Sequence, residues 1–404
     1  MTSPSPQGWK VERLLDLVSI RSGQIDPKLA QYRRMPLIAP DHIESGTGRL
    51  LEVRSAREQG AISGKYLVDQ GDIVYSKIRP YLMKAHRAEF PALCSADMYP
   101  LKPRKGADGR FVLNLLLGRD FANFAVGESM RSGIPKINRV GLAGYELLVP
   151  PDDEQKLIGA ALGDADGLIQ TLEKTITKKR AIKQGMMQEL LTGRTRLPGF
   201  SGVWGDLASL TDLCTRSTGF WGADRPSAVS PHRVHVITAG DITPRGRISG
   251  TSERYFTNGQ LAKARCRKDD VVITSSGNGL GKTAYVDNPG ILVASNFVRI
   301  LRPRRGVSGA FLAQVMWAPG ARAMLDSNTA TSAYPNLMRS FFSEKWLPNP
   351  RLDEQLAVAT VLHDYDLEIE GLERRLEATR AIKQGMMQEL LAGRTRLVHS
   401  GSDT

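Results

Sequence analysis

The sequence predicts a mixed α/β protein of two similar globular domains separated by an antiparallel, coiled-coil-like pair of long helices with pseudo-twofold symmetry. Three observations predict it: an internal duplication offset by 200 residues, two long stretches with apolar residues at seven-residue intervals, and a positive surplus confined to two blocks. A chain of 404 residues also exceeds one ordinary core and suits two to three domains.

The duplication sets the boundaries. RAIKQGMMQELL at 180–191 recurs unchanged at 380–391, and GRTRL at 193–197 recurs at 393–397. Residues 152–197 and 352–397 share 26 identities in 46 positions, including Asp153-Glu154-Gln155 with Asp353-Glu354-Gln355. The expected division is therefore a first domain over 1–151, a central helix over 152–197, a second domain over 198–351, a distal helix over 352–397 and a flexible tail over 398–404.

Each helix copy carries one apolar seam. Leu162, Ile169, Leu172, Ile176, Met186 and Leu190 line the first, and Leu362, Ile369, Leu372, Leu376, Met386 and Leu390 line the second. The register falters at Lys183 and Lys383, where Ile182 and Ile382 are expected to carry the stripe through a stutter. Pro150-Pro151 and an Asp152…Gln155 capping pattern mark the first start, while Gly193 and Gly393 occupy C-cap places. Helices of this length cannot bury a single seam alone, so the two copies are expected to pair antiparallel. The alternative is that each docks on its own domain or on another protein.

The preceding blocks are diverged copies. Trp9 and Arg21-Ser22-Gly23 parallel Trp204 and Arg216-Ser217-Thr218-Gly219; Gly71-Asp72-Ile73-Val74 parallels Asp269-Asp270-Val271-Val272; Ile134-Pro135-Lys136-Ile137 parallels Tyr334-Pro335-Asn336-Leu337. Anchors persist while the residues between them change, as expected of one scaffold serving two specificities.

The net charge is +13. Residues 1–150 hold a surplus of seven and residues 198–350 a surplus of eight, whereas the helical segments are nearly neutral or acidic. Two separate basic blocks point to a polyanion partner, against the plainer reading of a scattered solvated surface. Cys94, Cys214 and Cys266 form no CxxC pair and are odd in number, so they read as reduced thiols. The amino-terminal residues lack a secretory pattern and no apolar run reaches 18 residues, so a cytoplasmic location is expected.

Several motifs invite catalytic readings and fit plainer ones. SGNGLGKT at 276–283 has one residue too few between its glycines for a phosphate-binding P-loop. PDDEQK at 151–156 resembles a nuclease set, but its carboxylates are consecutive at a helix start, where capping accounts for them. His232 and His235 have no third ligand at metal-site spacing, so no metal site is assigned.

With its two domains, the apolar-Pro-rich stretches closing them (Leu147–Pro151 and Trp346–Pro350), the Glu-Gln signatures and the QELLTGRTRLP and QELLAGRTRLV endings, the chain resembles the specificity subunits of type I restriction-modification systems. That resemblance covers nearly all of it. It implies a non-catalytic subunit whose two target-recognition domains each read half of an asymmetric bipartite site in double-stranded DNA, with the helices as spacer. It further implies docking of two copies of an adenine-specific methyltransferase and of an ATP-dependent restriction and translocase subunit. S-adenosylmethionine, ATP and Mg would then be bound by those partners and no cofactor by this chain.

Direct readout wants Arg or Lys on guanine and Asn or Gln on adenine, with cations and hydroxyls on phosphates. Expected DNA-binding residues are Lys77, Arg79, Lys84, Arg87, Arg131, Ser132, Lys136 and Arg139 in the first domain. The second offers Asn278, Lys282, Arg299, Thr331, Ser332, Tyr334, Asn336 and Arg339. Two readings compete: a standalone nuclease or methyltransferase, and a scaffold that binds DNA without sequence preference.

Overall fold

The computed structural model describes residues 6–129, 135–243, 246–277, 279–287, 290, 292–329 and 335–397. The tail at 398–404, Arg131, Ser132, Asn278, Thr331, Ser332 and Tyr334 lie outside them. Two compact units divide the chain: Met1–Glu173 with Arg374–Thr404, and Lys174–Glu373. The long helices Asp152–Leu190 and Leu352–Leu390 each give one half to each unit.

In the first unit an antiparallel sheet runs in the spatial order Val18–Ile20, Met98–Pro103, Ile73–Ser76, Ala85–Arg87. Ile73-Val74-Tyr75 is buried on both faces, which is why it reads as a short apolar run without alternation. Two helices, Gly109–Leu116 and Arg119–Ser129, bury Phe111, Leu116, Phe121 and Ala125 in the same core. Asp108 starts the first by accepting hydrogen bonds from the Arg110 and Phe111 N–H groups. Phe121 meets Tyr75 and Tyr145 edge-on, with ring centroids 5.3 and 4.9 Å apart.

The second unit repeats this plan with other residues. Its main sheet runs Cys214–Thr218, Val298–Pro303, Val271–Thr274, Thr283–Tyr285, and the helix Gly309–Trp317 is capped by Ser308. The smaller sheets diverge more. Both contain a parallel pair, Leu37–Ile38 with Ala92–Cys94 and His232–Ile237 with Leu292–Ala294. The third strand then joins opposite members of that pair: Tyr66–Val68 pairs with Ala92–Cys94, but Ser252–Phe256 pairs with His232–Ile237.

The Glu-Gln signatures at the helix starts are buried cross-links rather than simple caps. Glu154, 4% exposed, accepts from Trp9 Nε1 at 3.0 Å, from both arms of the Arg396 guanidinium at 2.7 and 2.8 Å, and from the Leu397 N–H. Glu354, 2% exposed, receives Trp204 Nε1 at 3.0 Å and a bidentate Arg196. Gln155 and Gln355 each donate to the carbonyl five residues back, Pro150 or Pro350, while their Oε1 atoms accept from the Asp108 and Ser308 N–H groups. Gly193 and Gly393 turn the chain with φ near +70°, and a Cβ on either would strike Trp204 or Trp9 with its neighbour Pro6.

Inside each unit the start of one long helix packs beside the end of the other. Ile158, Leu162 and Leu390 complete the first core, and Val358, Leu362, Met187 and Leu190 complete the second. Ile169, Leu172, Ile176, Ile369, Leu372 and Leu376 are buried or half-buried, as are Met186 and Met386. The pairs Lys383–Asp166 and Arg380–Glu173 in the first unit, both at 2.6 Å, run antiparallel. Lys183–Asp366 at 2.6 Å and Arg180–Glu373 repeat the arrangement in the second. This corrects the expected stutter. Ile182 and Ile382 are exposed by 38% and 61%, whereas the Lys183 and Lys383 side chains turn inward, 14% and 9% exposed, because an aspartate on the facing helix neutralises each.

Two left-handed residues stand out, Arg79 at φ 50° and Met83 at φ 46°, flanking a single turn at Pro80–Leu82. That conformation costs a non-glycine residue about 1 kcal/mol.

Two tests follow from the packing. Lys383→Ala leaves Asp166 facing the seam unpaired and should lower stability by about 1–2 kcal/mol in denaturant titration, while Lys383→Met with Asp166→Leu recovers most of the loss. Burial alone would raise the Glu154 pKa, but the bonds from Arg396, Trp9 and Leu397 hold it below the usual carboxylate value. A depressed folded-state pKa gives stability that is present above about pH 4.3 and lost as pH falls below it. Glu154→Gln should therefore cost about 3 kcal/mol at neutral pH and flatten the acid limb of the pH–stability curve.

Candidate nucleic-acid interface

In the first domain Lys77, Lys136 and Arg139 gather at one end of the main sheet. Pairing brings them there: the Lys77 N–H donates to the Asp97 carbonyl, its own carbonyl accepts from the Ile137 N–H, and Ile78 bridges Lys136. Asn138 then caps the short helix that begins at Arg139, taking the Gly141 N–H at 2.8 Å. Lys77 Nζ lies 5.4 Å from the centre of the Tyr99 ring, and Arg139 Nη1 donates to Ser22 Oγ at 3.3 Å. Lys136 and Arg139 are exposed. Burial, then the charges of Lys136 and Arg139, push the Lys77 pKa down, with Asp97 opposing them.

The second domain builds a corresponding cluster from Arg216, Arg299 and Arg339. Arg299 pairs across the sheet with Thr218 and donates to its hydroxyl at 3.0 Å; Arg216 stacks 4.4 Å from the centre of the Phe342 ring. Burial, followed by Arg299 and Arg339, lowers the Arg216 pKa. Crowded cations that disfavour each other's charge are stabilised when an anion arrives, as a phosphate backbone would. Of the three positions, only Arg139 and Arg339 correspond between the domains.

Arg216 escaped the sequence reading because it was matched with Arg21. The strand register shows otherwise: Arg216 faces Leu301 where Ile20 faces Leu101. Arg21 is spent on the buried Asp72, at 2.6 Å, and on Asp69. In the second domain the equivalent Asp270 is held instead by Arg302, at 2.8 and 2.9 Å from another strand, and Arg216 lies exposed at a position where the first domain has Ile20.

The remaining candidates separate by location. Arg79 is exposed beside the first cluster, and Asn336 is exposed and bridges Ser276 beside the second. Lys84 and Lys282 do not join them. Each turns back to a backbone carbonyl, Pro40 at 2.6 Å or Ala239 at 3.2 Å, closing its turn. Arg87 sits half-buried on the edge strand Ala85–Arg87 and packs on Gly109 at the start of a core helix. The strands Val271–Thr274 and Thr283–Tyr285 on either side of the SGNGLGK stretch pair antiparallel, so the motif does not join a strand to a helix as a phosphate loop does. The thiols of Cys94, Cys214 and Cys266 are buried and pushed up to about 12, so they stay protonated at neutral pH. No helix of the described residues is long and apolar enough to cross a membrane.

Residues 6–183 match the family described as type I restriction modification DNA specificity domain. The type I restriction enzyme MjaVIII specificity subunit of Methanocaldococcus jannaschii is 20% identical over 97% of this chain and 94% of its own length. The chain is thus similar to type I specificity subunits, through residues 6–183 by the family match and along nearly its whole length to that relative. The EcoDI specificity subunit of Escherichia coli is 31% identical over 61% of the chain, and the match spans half the length of that relative. The fold is shared with the S subunit of M. genitalium, at 14% identity and a TM-score of 0.63 over 95% of this chain and 96% of that one. Within the duplicated scaffold, the domains keep their main sheets while the cation clusters change.

Lys136→Gln with Arg139→Gln should raise the Lys77 pKa, read by NMR titration, and should lower the salt needed to elute the chain from heparin. An unchanged elution position would mean that the cluster does not face the polyanion.

Proposed function

We propose that this chain is the non-catalytic subunit that gives a type I restriction-modification complex its DNA sequence specificity. Each domain reads one half of an asymmetric bipartite site in duplex DNA. The observation that carries this reading is the pair of unlike cation clusters, Lys77/Lys136/Arg139 and Arg216/Arg299/Arg339, on equivalent sheets of one duplicated scaffold. Guanidinium and ammonium groups hold phosphates and guanine edges, while the differing residues between them select sequence.

The long helices set the spacing. A 39-residue helix spans about 58 Å at about 1.5 Å per residue, more than one turn of B-DNA at about 34 Å. Their exposed apolar side chains suit partner docking: Leu168 and Ile382 in the first unit, Ile182, Leu356 and Leu367 in the second. Two copies of an adenine methyltransferase and an ATP-driven restriction and translocation subunit are the partners proposed. S-adenosylmethionine, ATP and Mg would be bound by those subunits, and the complex would act in the cytoplasm.

Competition binding at fixed salt against duplexes with each half-site scrambled separately tests this. Arg139→Gln should weaken binding about tenfold through the first half, and Arg339→Gln should do so through the second. Equal binding to all sequences would favour the unspecific scaffold, and cleavage or methylation by the purified chain alone would establish the standalone enzyme.

A further inference from the structure

One turn is built twice on the same hydrogen bonds but with opposite side-chain chemistry. In the first domain Arg79 N–H donates to the Pro135 carbonyl, Leu82 N–H to the Arg79 carbonyl and Ser76 N–H to the Lys84 carbonyl. In the second, Gly277 N–H donates to Pro335, Leu280 N–H to Gly277 and Thr274 N–H to Lys282. Lys84 and Lys282 close both turns in the same way. Residues 79 and 83 therefore correspond to 277 and 281, and all four have positive φ. The second domain meets that requirement with glycine at both places, at no steric cost; the first holds an arginine and a methionine there.

Met83 has a structural reason for its strain, since it is half-buried and its Cε packs by the turn at Gly46. Arg79 has none. Its side chain is exposed and has no partner among the described residues. At the apex between them stands Tyr81, 54% exposed, where the second domain has Gly279. The turn adjoins the cation cluster directly, through the Ile78–Lys136 bridge. Backbone strain at Arg79 with no side-chain partner among the described residues, an aromatic ring more than half exposed at the apex, and adjacent cations all point outward to a ligand.

We propose that Tyr81, presented by the strained Arg79–Met83 turn, is a specificity-determining contact of the first domain with a base of its half-site, for which the second domain has no counterpart. This rests on the reading of the chain as a DNA specificity subunit. The ring packs against an apolar base edge or face, and the Arg79 guanidinium meets the adjoining phosphate. The ring and not the hydroxyl carries the contact.

The test uses the full chain and duplexes carrying its site, with every single base-pair substitution in either half. Tyr81→Ala should reduce discrimination about tenfold at one or two base pairs of the first half and leave the second half unchanged, while Tyr81→Phe discriminates as the wild type does. Arg79→Gly should raise the melting temperature by removing the strain, yet weaken binding to all sequences and reduce the salt slope by about one. Discrimination by Tyr81→Ala that is unchanged at every position, or loosened equally in both halves, would overturn the assignment. If the wild-type chain itself shows no base-pair preference in either half, the functional reading fails instead.

Discussion

Each unit is closed by a carboxylate buried at the start of a long helix. Glu154 and Glu354 gather an indole N–H from their own domain and a guanidinium from beyond the end of the other long helix. Withdrawing a carboxylate from water is affordable only because those donors satisfy it. The consequence is topological. A domain, the start of the helix that follows it and the end of the other helix become one cooperative body, and residues far apart in the chain, such as Trp9 and Arg396, share one acceptor. The seam repeats the same logic, with Lys183 and Lys383 facing Asp366 and Asp166. A slip of the helices within either unit would strand a charge in an apolar seam, so these pairs specify register at some cost in stability.

On that closed frame the outward-facing chemistry is free to change. The buried aspartate before each central strand needs a guanidinium, and the two domains supply it from different strands. Arg21 serves Asp72 in the first domain, whereas Arg302 serves Asp270 in the second; independently, Arg216 stands at the surface where the first domain has Ile20. The turn after the same strand is built alike in both, yet ends in Tyr81 in one and Gly279 in the other. Two heads of one fold can thus present unlike surfaces without altering their cores.

Much of this was legible in the sequence because it depends on repetition and periodicity. The 200-residue offset located both helices, their starts after Pro151 and Pro350, and the turning glycines Gly193 and Gly393. What stayed hidden depends on partners distant in the chain. A lysine in an apolar repeat reads as a flaw until the facing aspartate is seen, so the stripe was assigned to Ile182 and Ile382, which point to solvent. Lys84 and Lys282 resemble DNA contacts because cations in loops usually face water, but each turns back to a carbonyl some 43 or 44 residues away. Arg216 was missed because an Arg-Ser match outweighed a one-residue shift in strand register, and a shift of one moves a side chain to the opposite face.

The central claim is that two unlike reading surfaces on one duplicated scaffold select a two-part DNA sequence. Its most direct test is the methylome of cells expressing this chain with the proposed methyltransferase partner, compared with cells lacking only the chain. The account predicts that one methyl-adenine motif depends on the chain and consists of two different short sequences separated by a fixed number of unspecified base pairs. A motif that persists without the chain, or one that is continuous or has identical halves, would contradict it.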